Sequence, residues 1–417
     1  MKRTSPILCP KHEPNRAMLA LPALVYALCY STQALAAAEQ SGPAAIYAGP
    51  VAITPTLGTE LKYRNNIYLQ ETDETSSWIA VARPAVTARL RDRDNIYNVG
   101  YRGEASWYTE DSTGNENGYF DNTFFADAYL LLDERWIAEA YVEWAALHED
   151  RGTGLSEGAI GNNISEPIEY DQSDVGGSIQ YSSGVGRLKL SAAYMDREYQ
   201  NFKELTRSRD REETSLGATF YYPLAPKTDI LIDYTYADIE YPNPFEEVPA
   251  LDSQETTLQV GLEWEITPNM TSSAQAGYVE KEFDDPGRKD WDGIGWELEL
   301  WMQPRDQDTI VITGSRAPEE TTLQGDFIKR ETLSVSWTHN WSDRVDTVLG
   351  GSIGRDTYEQ SINNREDDIY NASLRVNYVF RRWANVYTGY SYDEKSSSTD
   401  GLSYTDHTFM IGVDLSL

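Results

Sequence analysis

The side chains in this chain equipped to act on a solute sit at every second position of apolar segments. Arg83, Arg89, Arg102, Arg187 and Lys189 alternate with small or apolar neighbours, and so do Asp229, Asp233, Glu263, Glu297 and Glu299. A period of two puts such residues on the polar face of a sheet whose other face is apolar. Charges held on one face of a wall steer ions and orient dipoles. If the sheet closes into a ring, the segments carrying Arg83, Arg89 and Arg102 fall opposite those carrying Glu297 and Glu299. The expectation is then a basic wall facing an acidic wall; the alternative is a balanced, mutually paired interior. Tyr129, Tyr141, Tyr221, Trp301, Trp383 and Tyr387 are placed on the same polar face. Planar rings there either stack on the apolar face of a pyranose or pack against the wall.

Catalytic chemistry finds no support. Beyond the first 40 residues the histidines are His148, His339 and His407, on the apolar parity or near segment ends, with no serine and acid placed to complete a triad. Phosphate-loop, zinc and dinucleotide spacings are absent, so no catalytic residue, metal or cofactor is expected. The acid pairs Asp73-Glu74, Glu246-Glu247 and Asp367-Asp368 read as solvated charge rather than calcium ligands. A net charge of −32 speaks against a nucleic-acid partner. Mean hydropathy is −0.55, too polar for a bundle of membrane helices. The 28 Tyr and 11 Trp, against 10 Phe and 2 Cys, leave an acidic soluble protein or an outer-membrane barrel.

The pattern along the chain separates these two. Residues 1–36 have the form of a secretory signal: Lys2, Arg3, Lys11 and Arg16, an apolar stretch from Ala17 to Tyr30, then Ala34-Leu35-Ala36, with cleavage after Ala36 or Ala38. Both cysteines, Cys9 and Cys29, fall inside it. Residues 37–52 are read as a short periplasmic segment and 53–417 as one domain of roughly 18 period-two segments. These lie near 53–66, 77–91, 95–108, 119–132, 135–148, 169–182, 186–197, 212–222, 227–239, 254–266, 269–282, 291–303, 307–316, 326–341, 344–356, 367–380, 383–394 and 404–417. Their connections alternate between tight turns, such as Asp133-Glu134 and Thr267-Pro268, and long polar loops, such as 66–76, 149–167 and 241–252. That asymmetry belongs to a transmembrane antiparallel β-barrel of the outer-membrane type, with both termini periplasmic. The longest loop, 149–167, is the candidate to constrict a pore.

The aromatics agree. Trp136, Tyr222, Trp264, Trp341 and Phe380 adjoin the tight turns; Trp107, Trp144, Tyr194, Tyr236, Tyr278 and Tyr392 adjoin the loops. Trp136 and Trp144 share one segment, and eight tilted residues span roughly 20 Å, the height of an outward apolar band. The last segment alternates Phe409, Ile411, Val413, Leu415 and Leu417 with polar or small residues, the form of a terminal strand read by the barrel assembly machinery. Most such strands end in Phe, and this one ends in Leu417.

The start of the barrel region carries Ile53-Thr54-Pro55-Thr56-Leu57, then Tyr63-Arg64-Asn65-Asn66-Ile67-Tyr68, then Trp78 with Arg83-Pro84 in the next segment. In these residues the chain resembles the putative beta-barrel porin 2 family, many of whose members carry an acid at the position of Arg64 or Asn65. The resemblance implies an association with exopolysaccharide and capsule secretion, and hence periplasmic secretion components as partners. Three readings follow: a saccharide exporter, a general or sugar-selective diffusion porin, and a structural or adhesive barrel with a plugged lumen. All three place the chain in the outer membrane of a Gram-negative bacterium. Its neighbours there are lipid and lipopolysaccharide, and for the two transport readings a saccharide or small solute passes through the lumen.

Overall fold

The computed structural model describes residues 45–110, 116–245, 248–321, 324–361 and 363–416. Residues 1–44, with both cysteines and both expected cleavage registers, the pair Glu246-Glu247, and Leu417 lie outside the described residues.

A three-residue strand, β1 (Ile46–Ala48), precedes eighteen long ones. These are β2 (Val51–Arg64), β3 (Ser77–Asp92), β4 (Asn95–Tyr108), β5 (Tyr119–Leu131), β6 (Trp136–Glu149), β7 (Ile168–Ser182), β8 (Arg187–Tyr199), β9 (Arg211–Ala225) and β10 (Thr228–Glu240). Then follow β11 (Ser253–Thr267), β12 (Met270–Phe283), β13 (Trp291–Arg305), β14 (Asp308–Glu320), β15 (Phe327–Ser342), β16 (Val345–Glu359), β17 (Glu366–Arg381), β18 (Ala384–Ser397) and β19 (Tyr404–Ser416). Each pairs antiparallel with the next, and β19 returns to β2 with Thr408 opposite Arg64 and Ser416 opposite Thr56. The sheet is therefore a closed antiparallel barrel of 18 strands. Every segment expected from the period-two pattern is a strand. Closure gives each backbone polar group a partner without water, which a structure in lipid requires.

Alternation decides which face meets what. On β11, Leu258, Val260 and Leu262 are 49%, 56% and 41% exposed, whereas Gln259 between them is 4% exposed. Apolar side chains outside and polar ones inside invert the arrangement of a soluble protein, and lipid is the solvent that makes this favourable. Trp136, Tyr222, Trp341 and Phe380 stand exposed beside the short turns; Trp107, Trp144, Tyr194 and Tyr278 stand exposed toward the loops. These are two amphipathic belts at the two headgroup layers. Among the described residues no helix is long and apolar enough to cross a membrane.

Two boundaries differ from expectation. The segment 37–52 is in part strand. Ile46 pairs with Ile53 and Ala48 with Val51 around a turn in which Gly49 has φ +63°. Because β19 stops opposite Thr56, the first residues of β2 would otherwise present a bare edge, and β1 covers it. Strand β14 runs on to Glu320 through Pro318, a residue with no N–H to give a second ladder. Beyond Arg316 it pairs with β15 alone, since its ladder to β13 ends at Trp296 opposite Arg316.

Candidate functional site

The charged residues singled out in the sequence all lie on lumen-facing parity, but they are not two opposed walls. Arg187 of β8 donates to Asp229 of β10 at 2.8 Å and to Glu263 of β11 at 3.4 Å, joining members of the two sets on one side of the barrel. Arg83 donates to Glu104 at 2.7 Å and to Glu60 at 3.2 Å. Lys189 reaches Glu139 at 3.4 Å and Arg102 lies 3.8 Å from Glu143. Arg89 donates to Asn98, which in turn donates to Asp127. Asp233 accepts from Thr219 and Thr235, and Glu297 from Gln275, while Glu299 stands two residues further along β13. The physical reason is cross-strand geometry. Inward neighbours on adjacent strands come within reach of long side chains, and opposite charges there stabilise each other more than a separated pair does. The carboxylates that do this, Glu60, Glu104, Glu139 and Glu143, each sit on the polar parity of their strand, but nothing in a single strand marks them as the partners.

The aromatics also serve the wall. Tyr387 is 3% exposed. Its ring lies over Gly412, directly opposite on β19, so closely that a Cβ there would fall 2.2 Å from Cζ. The Arg375 guanidinium covers it at 3.6 Å from the ring centroid, and its hydroxyl donates to Glu60 at 2.8 Å. Tyr141 lies over Gly176 in the same way. Phe125 lies over Gly100 with Arg102 at 4.3 Å from its ring centroid. A flat ring over a cross-strand glycine seals a patch of backbone that has no side chain of its own. Tyr221 is buried beneath Arg187, whose guanidinium sits 4.3 Å from its ring centroid. Tyr387 and Tyr221 therefore offer no open face for a sugar. Trp383 is corrected outright: it lies in the turn between β17 and β18, half exposed, and not on a strand. Tyr129 and Trp301 are partly exposed on lumen parity.

The mouth at the long-loop end is narrowed from two sides. Loop 150–167 leaves β6 and returns to β7, but its middle lands on β17 and β18, nearly across the closed ring. There Glu157 accepts from Arg365 Nη1 and Nη2, both at 2.7 Å, and from Lys395 Nζ. Arg365 is fully buried, also donates to Asp367, and lies over Tyr358 at 4.1 Å. The loop is folded for this reach. Gly152, Gly154 and Gly158 take left-handed φ values of +82°, +53° and +61°, conformations that favour glycine. Leu155 and Ile164 anchor its base in a cluster with Ile168, Tyr170 and Tyr199. Arg151 donates to Asn117 and to the Ile164 carbonyl, binding the loop to its neighbour 109–118. From the other side the free end of β14 leans inward. Glu320 accepts from Lys281 of β12 and from the Tyr241 hydroxyl, both at 2.6 Å. Burial, then the neighbouring Glu320, push the Tyr241 phenol well above its usual range, so it remains a donor. Sequence reading named the loop but neither Glu157 nor its partners, because nothing local marks where a loop lands.

On the outward face of β19, Phe409 and Ile411 are exposed, with Val413 and Leu415 on the same parity. No group of His, Cys, Asp and Glu among the described residues is arranged to hold a metal.

Among solved structures the chain is similar to OccAB2 of Acinetobacter baumannii, at 11% identity and a TM-score of 0.47, covering 89% of this chain and 99% of that one. It is also similar to the outer membrane protein opdK from Pseudomonas aeruginosa, at 10% identity and a TM-score of 0.46, covering 88% and 99%. OpdO of Pseudomonas aeruginosa gives 11% identity and a TM-score of 0.48 over 88% and 97%. No curated protein matches the sequence. The sequence profile of the putative beta-barrel porin 2 family matches residues 40–417, nearly all of the chain, and the protein belongs to that family of outer-membrane β-barrels.

Proposed function

We propose that the barrel is a passive channel for small polar solutes, not an enzyme, and that loop 150–167 sets the width of its outer mouth. The observation that carries this is Glu157 held by Arg365 and Lys395 on the far side of the ring. A lumen of 18 strands is wide enough to conduct, and a loop secured across its entrance converts a wide pore into a selective one. Export of a polysaccharide, the reading favoured by the family resemblance, needs a mouth through which a polymer threads; a loop tied on both sides weighs against it. Lipid and lipopolysaccharide surround the aromatic belts, the termini are periplasmic, and β19 is the strand the barrel assembly machinery engages.

The test is reconstitution into liposomes with swelling in sugars of increasing size, alongside exopolysaccharide output from a deletion strain. Monosaccharide entry that falls steeply by trisaccharide, with polymer output unchanged, is the expected result. No swelling in any sugar would overturn the channel reading. Lost polymer output, with export restored by the intact gene, would replace it with secretion.

A further inference from the structure

Most basic groups of the lumen are tied to carboxylates or amides, which leaves open what a passing solute touches. Strands β14 to β17 supply an answer. The outward residues are fixed by Leu333 and Val335 on β15 and Leu349 and Ile353 on β16, all exposed to lipid. The alternate positions therefore face the lumen. Register then places Thr313 of β14 opposite Ser334 of β15, Ser334 opposite Ser352 of β16, and Ser336 opposite Gly350, which lies opposite Ser373 of β17. Thr332 continues the field toward the mouth, opposite Ser315 and Gly354. No charged side chain falls within this field on β14 to β17, although on β13 Glu299 stands opposite Thr313 and Glu297 opposite Ser315. At its outer end Arg330 is bound to Asp356 and Glu319. At its inner end Asn377 binds Asp346 and Arg375. Within the described structure, Thr313, Thr332, Ser334, Ser336, Ser352 and Ser373 give their hydroxyls to no other group of the protein, and all are partly exposed.

We infer that this uncharged hydroxyl field is the track for the permeating solute, and that the solute class is neutral and hydroxyl-rich: monosaccharides and polyols. This rests on the channel reading above. A hydroxyl both donates and accepts, so it meets a sugar hydroxyl in either sense. Each such contact replaces one with water, and its net worth is small. A row of weak, equivalent contacts lets a solute bind enough to enter and loosely enough to leave. Such a surface offers an ionised solute no opposite charge to offset its lost hydration.

The test is a quadruple variant, Thr313→Val, Ser334→Ala, Ser352→Ala and Ser373→Ala, which removes the hydroxyls while leaving the bore the same or slightly wider. Glucose entry into liposomes from dilute solution is expected to fall by roughly fivefold or more, the value of about one hydrogen bond, with KCl single-channel conductance and acetate entry unchanged. Glucose and KCl falling together would mean a collapsed bore and overturn the track, as would unchanged glucose entry. If the quadruple variant does not refold, Ser334→Ala and Ser352→Ala are measured singly under the same criteria. A wild-type barrel silent to both glucose and KCl overturns the channel reading itself; a conducting barrel indifferent to these substitutions overturns only the track.

Discussion

Arg187 is where two meanings of a lumen charge separate. As part of a basic wall it would set a field across the pore; bound to Asp229 and Glu263 it neutralises its own side. Replacing Arg187 with Gln leaves both carboxylates uncompensated, so the reversal potential in a KCl gradient is expected to shift toward potassium; a shift toward chloride, or none, contradicts the pairing. Tyr387 gives a second residue-scale prediction. Its hydroxyl is one hydrogen bond to Glu60 in a buried network, so Tyr387→Phe should cost about 1 kcal/mol in urea unfolding of the refolded barrel. Glucose entry should not change, since Arg375 and Gly412 already occupy both ring faces. The parity of both residues is legible in the sequence, because a period of two assigns a face without any tertiary knowledge. Their partners are not. Whether a lumen arginine meets an acid or a solute depends on which acids two strands away share its height, and register is not written in either strand alone.

At the scale of elements the strands and turns are almost wholly legible. Alternation, tight turns and aromatic placement are local signals, and all of them point to the same barrel. What stays hidden is where loops land. Glu157 and Arg365 are separated by 208 residues, and neither stands out among 67 acids and 35 bases. The β1 hairpin is hidden for another reason: three residues are too few for alternation to register. The latch yields a direct prediction. Glu157→Gln leaves buried Arg365 with Asp367 alone, and the loss of charged hydrogen bonds weakens the loop's hold by about 1.5–3 kcal/mol. Single-channel steps should become larger and noisier. Because both native cysteines lie at positions 9 and 29, Glu157→Cys with Arg365→Cys introduces the only thiols after residue 36, and a short bridging reagent should return the steps to native size. Steps insensitive to both treatments would mean that the loop lies outside the conduction path.

For the whole molecule, the acidic composition and low hydropathy take on a different meaning in a barrel. Half of each strand faces water, so a membrane protein of this kind is polar on average while remaining apolar wherever lipid touches it. The field of Thr and Ser on β14 to β17 shows the same logic inside: charges are spent on holding strands together, and the neutral side chains are left to meet the solute. On this reading the latched loop limits what a barrel of this bore admits, and the decisive measurement is the size cut-off for sugars in liposomes, for the wild type and for Glu157→Gln. The wild type is expected to exclude oligosaccharides that the variant admits, with monosaccharide entry similar in both; identical cut-offs in the two proteins would show that the loop does not set the bore.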